Sequence, residues 1–152
     1  YEGINEIRGD MMEIKKLTIN DISILRKAGE LFWGEVSCDQ QLSKFLSNER
    51  NYAYVALDND VVAGFAFGYI LDTFYSEPIF YMHSIDVSER YKRKGLGKSI
   101  MKKIMDDCKV QGIRKCFLIT NKSNIAAVNL YQSSGGRLLN DDDIVYGWKF
   151  DS

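Results

Sequence analysis

The segment Arg90-Tyr91-Lys92-Arg93-Lys94-Gly95-Leu96-Gly97-Lys98-Ser99 joins an extended apolar run, Ile79 to Val87, to an amphipathic pattern that opens at Leu96. Five of the nine residues from Arg90 to Lys98 are cationic and two are glycines. A strand that breaks into a basic, glycine-bearing turn and then a helix N-terminus is a ready-made anion site. The first-turn amides have no intrahelical partner, and the helix dipole places partial positive charge there. Glycine lets a bulky phosphate approach the backbone closely. The segment therefore points to a ligand carrying a phosphate or pyrophosphate.

Two familiar phosphate motifs are excluded by single positions. A P-loop needs a glycine five residues before Gly97-Lys98-Ser99, and Lys92 stands there. A dinucleotide fingerprint needs a third glycine three residues after Gly97, and Ile100 stands there. What remains is basic-x-x-Gly-x-Gly over Lys92 to Gly97, following Ile85-Asp86-Val87. On these residues the chain resembles the GNAT superfamily of N-acetyltransferases, whose acetyl-CoA site reads Gln/Arg-x-x-Gly-x-Gly/Ala after a strand. Lys92 departs from the pattern. A lysine donates to phosphate as a point charge without the guanidinium fork, and Arg93 stands beside it to share the task. A second segment is similar to the family's later signature, Asn-x-x-Ala-x-x-Leu-Tyr-x-x-x-Gly-Phe. Asn124, Ala127, Leu130, Tyr131 and Gly135 match it, and Gly136 replaces the Phe. The resemblance covers Glu13 to Phe150. Within the superfamily, Ile-Asp-Val before the turn and Thr-Asn-Lys-Ser-Asn with Asn-Leu-Tyr after it resemble the aminoglycoside 3-N-acetyltransferase-like branch.

The chain has 152 residues, 45% hydrophobic and 27% charged, which is ordinary for one globular domain with a real core. Residues 11–152 are read as a single acetyltransferase domain. Residues 1–10, ahead of Met11 and Met12, are read as an N-terminal extension or a non-native leader. A net charge of −1 argues against a nucleic-acid partner, because the positive charge is local to the turn and first helix. No apolar run is long enough to span a bilayer and none reads as a secretory signal, so the expected location is cytoplasmic, with no membrane partner. Cys38, Cys108 and Cys116 are odd in number, widely spaced and form no metal-type pair. They are expected to be reduced, mostly buried small hydrophobes.

The patterning predicts a strand over Glu13 to Leu17, then a helix capped by Asn20 and running to about Glu35. A short helix from Asp39 to Asn48 turns Leu42, Phe45 and Leu46 inward. Ala53 to Leu57 and Val61 to Leu71 make a hairpin around Asp58-Asn59-Asp60. Ile79 to Val87 is a strand and Leu96 to Val110 a helix with Leu96, Ile100, Ile104 and Cys108 on one face, ended by Gly112. Ile113 to Thr120, a continuous apolar run, is expected near the middle of the sheet. Asn124 to Ser133 is a helix, and Ile144 to Phe150 is expected to close the chain as a strand.

The resemblance implies an α/β (α+β) fold: a mixed, mostly antiparallel central sheet with splayed parallel strands and about four flanking helices. It implies acetyl-CoA as co-substrate and no metal. It assigns cofactor contact to Ile85, Asp86 and Val87, whose strand would offer free backbone groups to the pantetheine arm. The pyrophosphate would rest within Lys92, Arg93, Lys94, Gly95, Leu96, Gly97, Lys98 and Ser99. Asn124, Ala127 and Tyr131 would complete the site, Asn124 seating the pantetheine, capping its helix, or both. Tyr131 occupies the family's general-acid position; its alternative is a tyrosine packed on a helix face with a surface hydroxyl. The base is open. Tyr81 holds the position of a Glu found in some relatives. His83, the one histidine, is expected on the same strand face as Tyr81 and Ile85, with a side chain suited to a base near neutral pH. Asp86, expected on the other face, and a water relay remain.

A cationic acceptor calls for acidic or π-rich walls. Glu30, Glu35, Asp72, Glu77 and Asp141-Asp142-Asp143 are available, with Phe32, Trp33, Phe74 and Tyr75. A small amine such as an aminoglycoside is the expected acceptor. Polyamines and protein or peptide amino groups stay open, as does a non-catalytic acyl-CoA-binding module. A homodimer is expected by analogy with relatives.

Overall fold

The computed structural model describes residues 12–151, so the expected extension at residues 1–10 lies outside the described residues. Five strands and four helices follow in the order β1 (Met12–Lys16), α1 (Ile22–Trp33), α2 (Asp39–Ser47), β2 (Asn51–Asp58), β3 (Val61–Leu71), β4 (Ile79–Val87), α3 (Leu96–Val110), β5 (Lys115–Leu118) and α4 (Ile125–Ser133). The sheet order is β1-β2-β3-β4-β5. The first four strands pair antiparallel and β4 pairs parallel with β5, giving the expected mixed, mostly antiparallel sheet.

Each face of the sheet buries one cluster. Tyr54, Phe80 and Met82 meet Ile100 and Ile104 of α3 on one face, all fully buried. The i, i+4 stripe Leu96, Ile100, Ile104 and Cys108 supplies the helix side of that layer. Each such large side chain contributes about 1.5–3 kcal/mol by leaving water. Tyr54 Oη donates to Asp107 at 2.8 Å, tying α3 to β2. On the other face Leu25 and Ala28 of α1 and Leu42 of α2 cover Val55, Val62 and Phe65. Phe45 and Leu46 pack partly buried against the same layer, as their spacing predicted.

Four expectations are corrected. Asn20 does not cap α1: Thr18 caps a 3-10 turn over Ile19–Asp21 that leads into it, taking the Asn20 amide while Asp21 takes the Thr18 amide at 2.7 Å. A capping box of this kind needs a hydroxyl and a carboxylate three apart, and Asn20 lies inside that span. β5 is not central; it is the outermost strand, four residues long, and its side chains are half-exposed or exposed. Its apolar run belongs to a strand covered from both faces only in part. Ile144 to Phe150 forms no strand, and every residue from 135 to 151 is exposed. Finally, Ile85 does not share a face with Tyr81 and His83. Phe67 pairs with Ser84 and Gly68 with Met82, so His83 is the extra residue of a β-bulge. The bulge flips the alternation. Ile85 and Val87 pack toward α3, whereas the His83 ring stacks on Phe67 of the opposite layer.

Candidate active site

The basic turn is held in place before any ligand is considered. The Ser88 amide donates to the Ala63 carbonyl at 2.8 Å, and the Tyr91 hydroxyl donates to Asp58 at 2.6 Å. A 3-10 turn over Glu89–Tyr91 then delivers the chain into Lys92–Gly95. Arg93 lies at φ 61° and Gly95, the residue before α3, at φ 80° with ψ 6°. Two left-handed residues so close together curl the backbone so that its amides converge. A Cβ at Gly95 would meet no atom within 4 Å, so glycine is there for its backbone angle and not for space.

Among the described residues, the amides of Arg93 to Lys98 have no protein partner; the first α3 amide to find one is Ser99, which donates to the Gly95 carbonyl at 3.1 Å. The Ser99 hydroxyl bonds that same carbonyl at 3.2 Å. Charge is distributed to match. Lys102 and Lys103 are neutralised by Asp106 and Asp107 one turn on, whereas Arg93, Lys94 and Lys98 make no ion pair among the described residues. Lys92, the motif departure, is engaged by Glu89 at 2.8 Å. That pairing, through a hydrogen bond and its charge, holds the Glu89 carboxyl below its ordinary range.

β4 and β5 part beside this turn. Their ladder ends at Met82 and Leu118, after which β4 runs to Val87 paired with β3 alone. The backbone of Ile85, Asp86 and Val87 therefore faces an open seam. α4 lines the far side. Gly97 is where the three elements meet: a Cβ there would sit 3.2 Å from Leu130 and 3.7 Å from Val87.

Tyr131 is held on α4 between two locked ends. At the start, Asn124 accepts the Ala127 amide at 3.2 Å, so its carbonyl oxygen caps the helix and its NH2 is left over. At the end, Gly136 donates to the Tyr131 carbonyl at 2.9 Å and Gly135 to Gln132 at 3.1 Å, a Schellman turn. A Cβ at Gly136 would lie 2.8 Å from the Tyr131 carbonyl oxygen, so the turn as formed here has no room for a side chain at that position. Tyr131 is half-buried and packs against the α3-side cluster. Burial raises its phenol above the ordinary value, and the negative charge of Asp86 adds to the rise. Asp86 itself accepts a hydrogen bond from Ser84 at 2.7 Å.

The other mouth of the seam is aromatic. His83, exposed by its bulge, stacks on Phe67 with centroids 4.8 Å apart and has Trp33 and Tyr81 each at 5.8 Å. Tyr81 stacks on Phe117 of β5 at 5.0 Å. Sequence reasoning singled out Trp33, His83 and Tyr81 but missed Phe67, Tyr69 and Phe117. The period-two row Phe65, Phe67, Tyr69 on β3 carried that signal. Phe74 and Tyr75 project from the β3–β4 connection, 98% and 75% exposed. The acidic candidates do not gather at the wall: Asp72 pairs with Arg50, Glu77 with Arg114 and Glu30 with Arg26. Among the described residues no three His, Cys, Asp or Glu side chains cluster as metal ligands, and no helix is long and apolar enough to cross a membrane.

The sequence profile of the acetyltransferase (GNAT) family matches residues 22–135, and the chain belongs to that family. The [ribosomal protein bS18]-alanine N-acetyltransferase of Escherichia coli (strain K12) is 33% identical over 54 residues, 36% of either chain. The match thus spans about a third of the length of these curated relatives. An aminoglycoside acetyltransferase from an uncultured soil metagenomic sample, solved with trehalose, superposes with a TM-score of 0.83 at 22% identity, over 93% of this chain and 97% of that one. Aminoglycoside N-acetyltransferase AAC(6')-Iy, solved with CoA, superposes at 0.75 and 18% identity, over 94% and 97%. At these identities the superpositions establish the shared fold.

Proposed function

We propose that the protein is an N-acetyltransferase that moves the acetyl group of acetyl-CoA directly to a primary amine of a small cationic acceptor. The observation that carries this reading is a juxtaposition. Six consecutive backbone amides, Arg93 to Lys98, and unpaired cations stand beside the point where β4 and β5 part. The amides and Lys94, Lys98 and Arg93 would hold the pyrophosphate, and the β4 backbone from Ile85 to Val87 would pair with the amide groups of the pantetheine arm. Acetyl-CoA supplies an activated thioester carbonyl. Tyr131, held protonated, gives its proton to the departing thiolate sulfur. His83 takes the proton that the acceptor nitrogen loses as the C–N bond forms and the C–S bond breaks. Tyr81 lines the approach. No metal enters these roles.

The acceptor side is read from the aromatic wall. Tyr81 lies stacked between Tyr69 and Phe117, and Trp33, 53% exposed at the end of α1, is the ring that can meet a cation, a contact worth about 0.5–2 kcal/mol. The aminoglycoside acetyltransferases of the same fold make an aminoglycoside the first acceptor to try. The local identity to an enzyme named for a ribosomal protein's alanine makes an N-terminal Ala peptide the second. Three cysteines without a disulfide, two of them at least partly buried, suit a reducing cytoplasm. Calorimetry with acetyl-CoA followed by a thiol-release assay on a panel of amines tests the reading. Binding with turnover on a cationic small amine is expected. Binding without turnover on any amine would leave an acyl-CoA-binding module, and absence of binding would end the proposal.

A further inference from the structure

The β-bulge at His83 re-aims Asp86 as well as Ile85. With strict alternation Asp86 would lie on the face opposite His83; with the extra residue inserted it lies on the same one. Asp86 pairs with Phe65 and Ser84 with Phe67 across the β3–β4 ladder, and residues directly opposite each other in an antiparallel pair share a face. Phe65 and Phe67 belong to the layer under α1, whereas Ile85 and Val87 pack toward α3. Ser84 and Asp86 therefore stand on the side of the sheet that carries Trp33, Phe67 and His83. The 2.7 Å hydrogen bond from the Ser84 hydroxyl to Asp86 shows that the two side chains project together. Both lie beyond Met82, where β4 has lost its pairing with β5 and its edge is open.

Asp86 is half-buried and makes no ion pair among the described residues. The other described carboxylates that are not exposed have partners. Asp21, Asp106 and Asp107 each hold a lysine, and Asp58, two strands away on β2, takes the Tyr91 hydroxyl. A carboxylate offers about four acceptor sites, and Ser84 fills one of them here. A half-buried carboxylate with no cation of its own is a place for one from outside. Its negative charge is felt at the Tyr131 phenol, so it also stands near the proposed acid. We propose that the Asp86 carboxylate, held by Ser84, receives the ammonium of the acceptor and sets its nitrogen beside the thioester, while Trp33 covers the rest of the molecule. The inference rests on the acetyltransferase reading above and gives that reading its acceptor-selecting residue. A neutral molecule of the same shape is rejected, because it strips water from the carboxylate and returns no charge.

Calorimetry on the full chain saturated with CoA, which carries no acetyl group to transfer, reads this contact without turnover. Benzylamine and benzyl alcohol are the probes: they share a ring and differ in the ammonium. The wild-type complex is expected to bind benzylamine at least about tenfold more tightly than the alcohol. Asp86→Asn keeps the side-chain shape, an acceptor for Ser84 and the backbone of β4. It is expected to reduce the preference to about twofold or less while CoA affinity stays within about twofold. Ser84→Ala, which frees the carboxylate to swing, is expected to leave a preference of about threefold, and an unchanged preference there would remove Ser84 from the proposal. No preference in the wild-type complex overturns the proposal. So does a preference that survives Asp86→Asn; survival together with slower thiol release would make the carboxylate a base and not an anchor. Loss of CoA binding in Asp86→Asn would place the side chain in the cofactor site and likewise overturn it. A wild-type chain that does not bind CoA removes the acetyltransferase reading itself, whereas one that binds CoA without preferring the amine removes only this proposal.

Discussion

The two sides of the seam are made of different material. The side that faces the basic turn is backbone: six amides, two left-handed residues and a helix start, all within Lys92 to Ser99. The side that faces α1 is side chain: Trp33 from a helix end, Phe67 and Tyr69 from β3, Tyr81 and His83 from β4 and Phe117 from β5. A backbone cradle cannot change its chemistry by substitution, and it suits a ligand group that never varies. An aromatic wall changes shape with every replacement. The lesson is that one seam combines a cradle fixed by backbone angles with a wall set by the choice of side chains.

The comparison can be broken most sharply at Tyr131, the proposed proton donor, which packs on the α3 side. Tyr131→Phe is expected to lower kcat by about a hundredfold or more while leaving acetyl-CoA affinity within about twofold, since general acid catalysis is worth that much. An unchanged kcat in thiol release would remove Tyr131 from the chemistry. The pH profile sharpens the same point. Burial, with help from Asp86, raises the phenol above its ordinary value, so the acid form persists to higher pH. The fall in kcat on the alkaline side is therefore expected above about pH 10. A fall centred near neutrality would assign the proton to another group.

Next in size is the cradle. Lys94→Gln with Lys98→Gln is expected to raise the Kd of acetyl-CoA by about tenfold, two charge-assisted contacts being lost, and the difference is expected to shrink as salt screens it. Calorimetry at two ionic strengths checks both. The wall is expected to respond in the opposite column: Trp33→Ala raises the KM of a cationic acceptor by about fivefold and leaves the Kd of acetyl-CoA alone. If Trp33→Ala weakened cofactor binding instead, the division between the two sides would fail.

The smallest effect lies away from both. Burial pushes the Asp21 carboxyl up, but the Lys15 ammonium and the Thr18 amide and hydroxyl bonded to it outweigh this, and its net shift is downward. A carboxyl lowered in the folded state stabilises the fold above its unfolded pKa, about 3.9, and that contribution is lost as pH falls through the lower folded value. Asp21→Asn is expected to cost about 1 kcal/mol at pH 7 through the lost capping contacts, and progressively less below pH 4. Urea unfolding at pH 7 and pH 3 reads the difference, and neither Kd nor KM is expected to move.

The chain's own residues determined most of what lies close together along it. Val61–Leu71, Ile79–Val87 and Leu96–Val110 have the boundaries that their patterning predicts, because alternation and the i, i+4 stripe are local signals. The cradle was legible for the same reason: Gly95, Gly97 and the free cations sit within one turn. Tertiary structure decided the rest. The β3–β4 register, not the strand's own alternation, set His83 apart from Ile85, and Gly68 within β3 was the residue that hinted at it. The sheet's order put β5 at an edge, although its apolar run read as interior. The pattern Ile144 to Phe150 is a strand's pattern without a strand's partner, because a strand exists only when another backbone meets its hydrogen bonds. Periodicity along a chain specifies which face is apolar; only the packing of distant segments specifies what covers it.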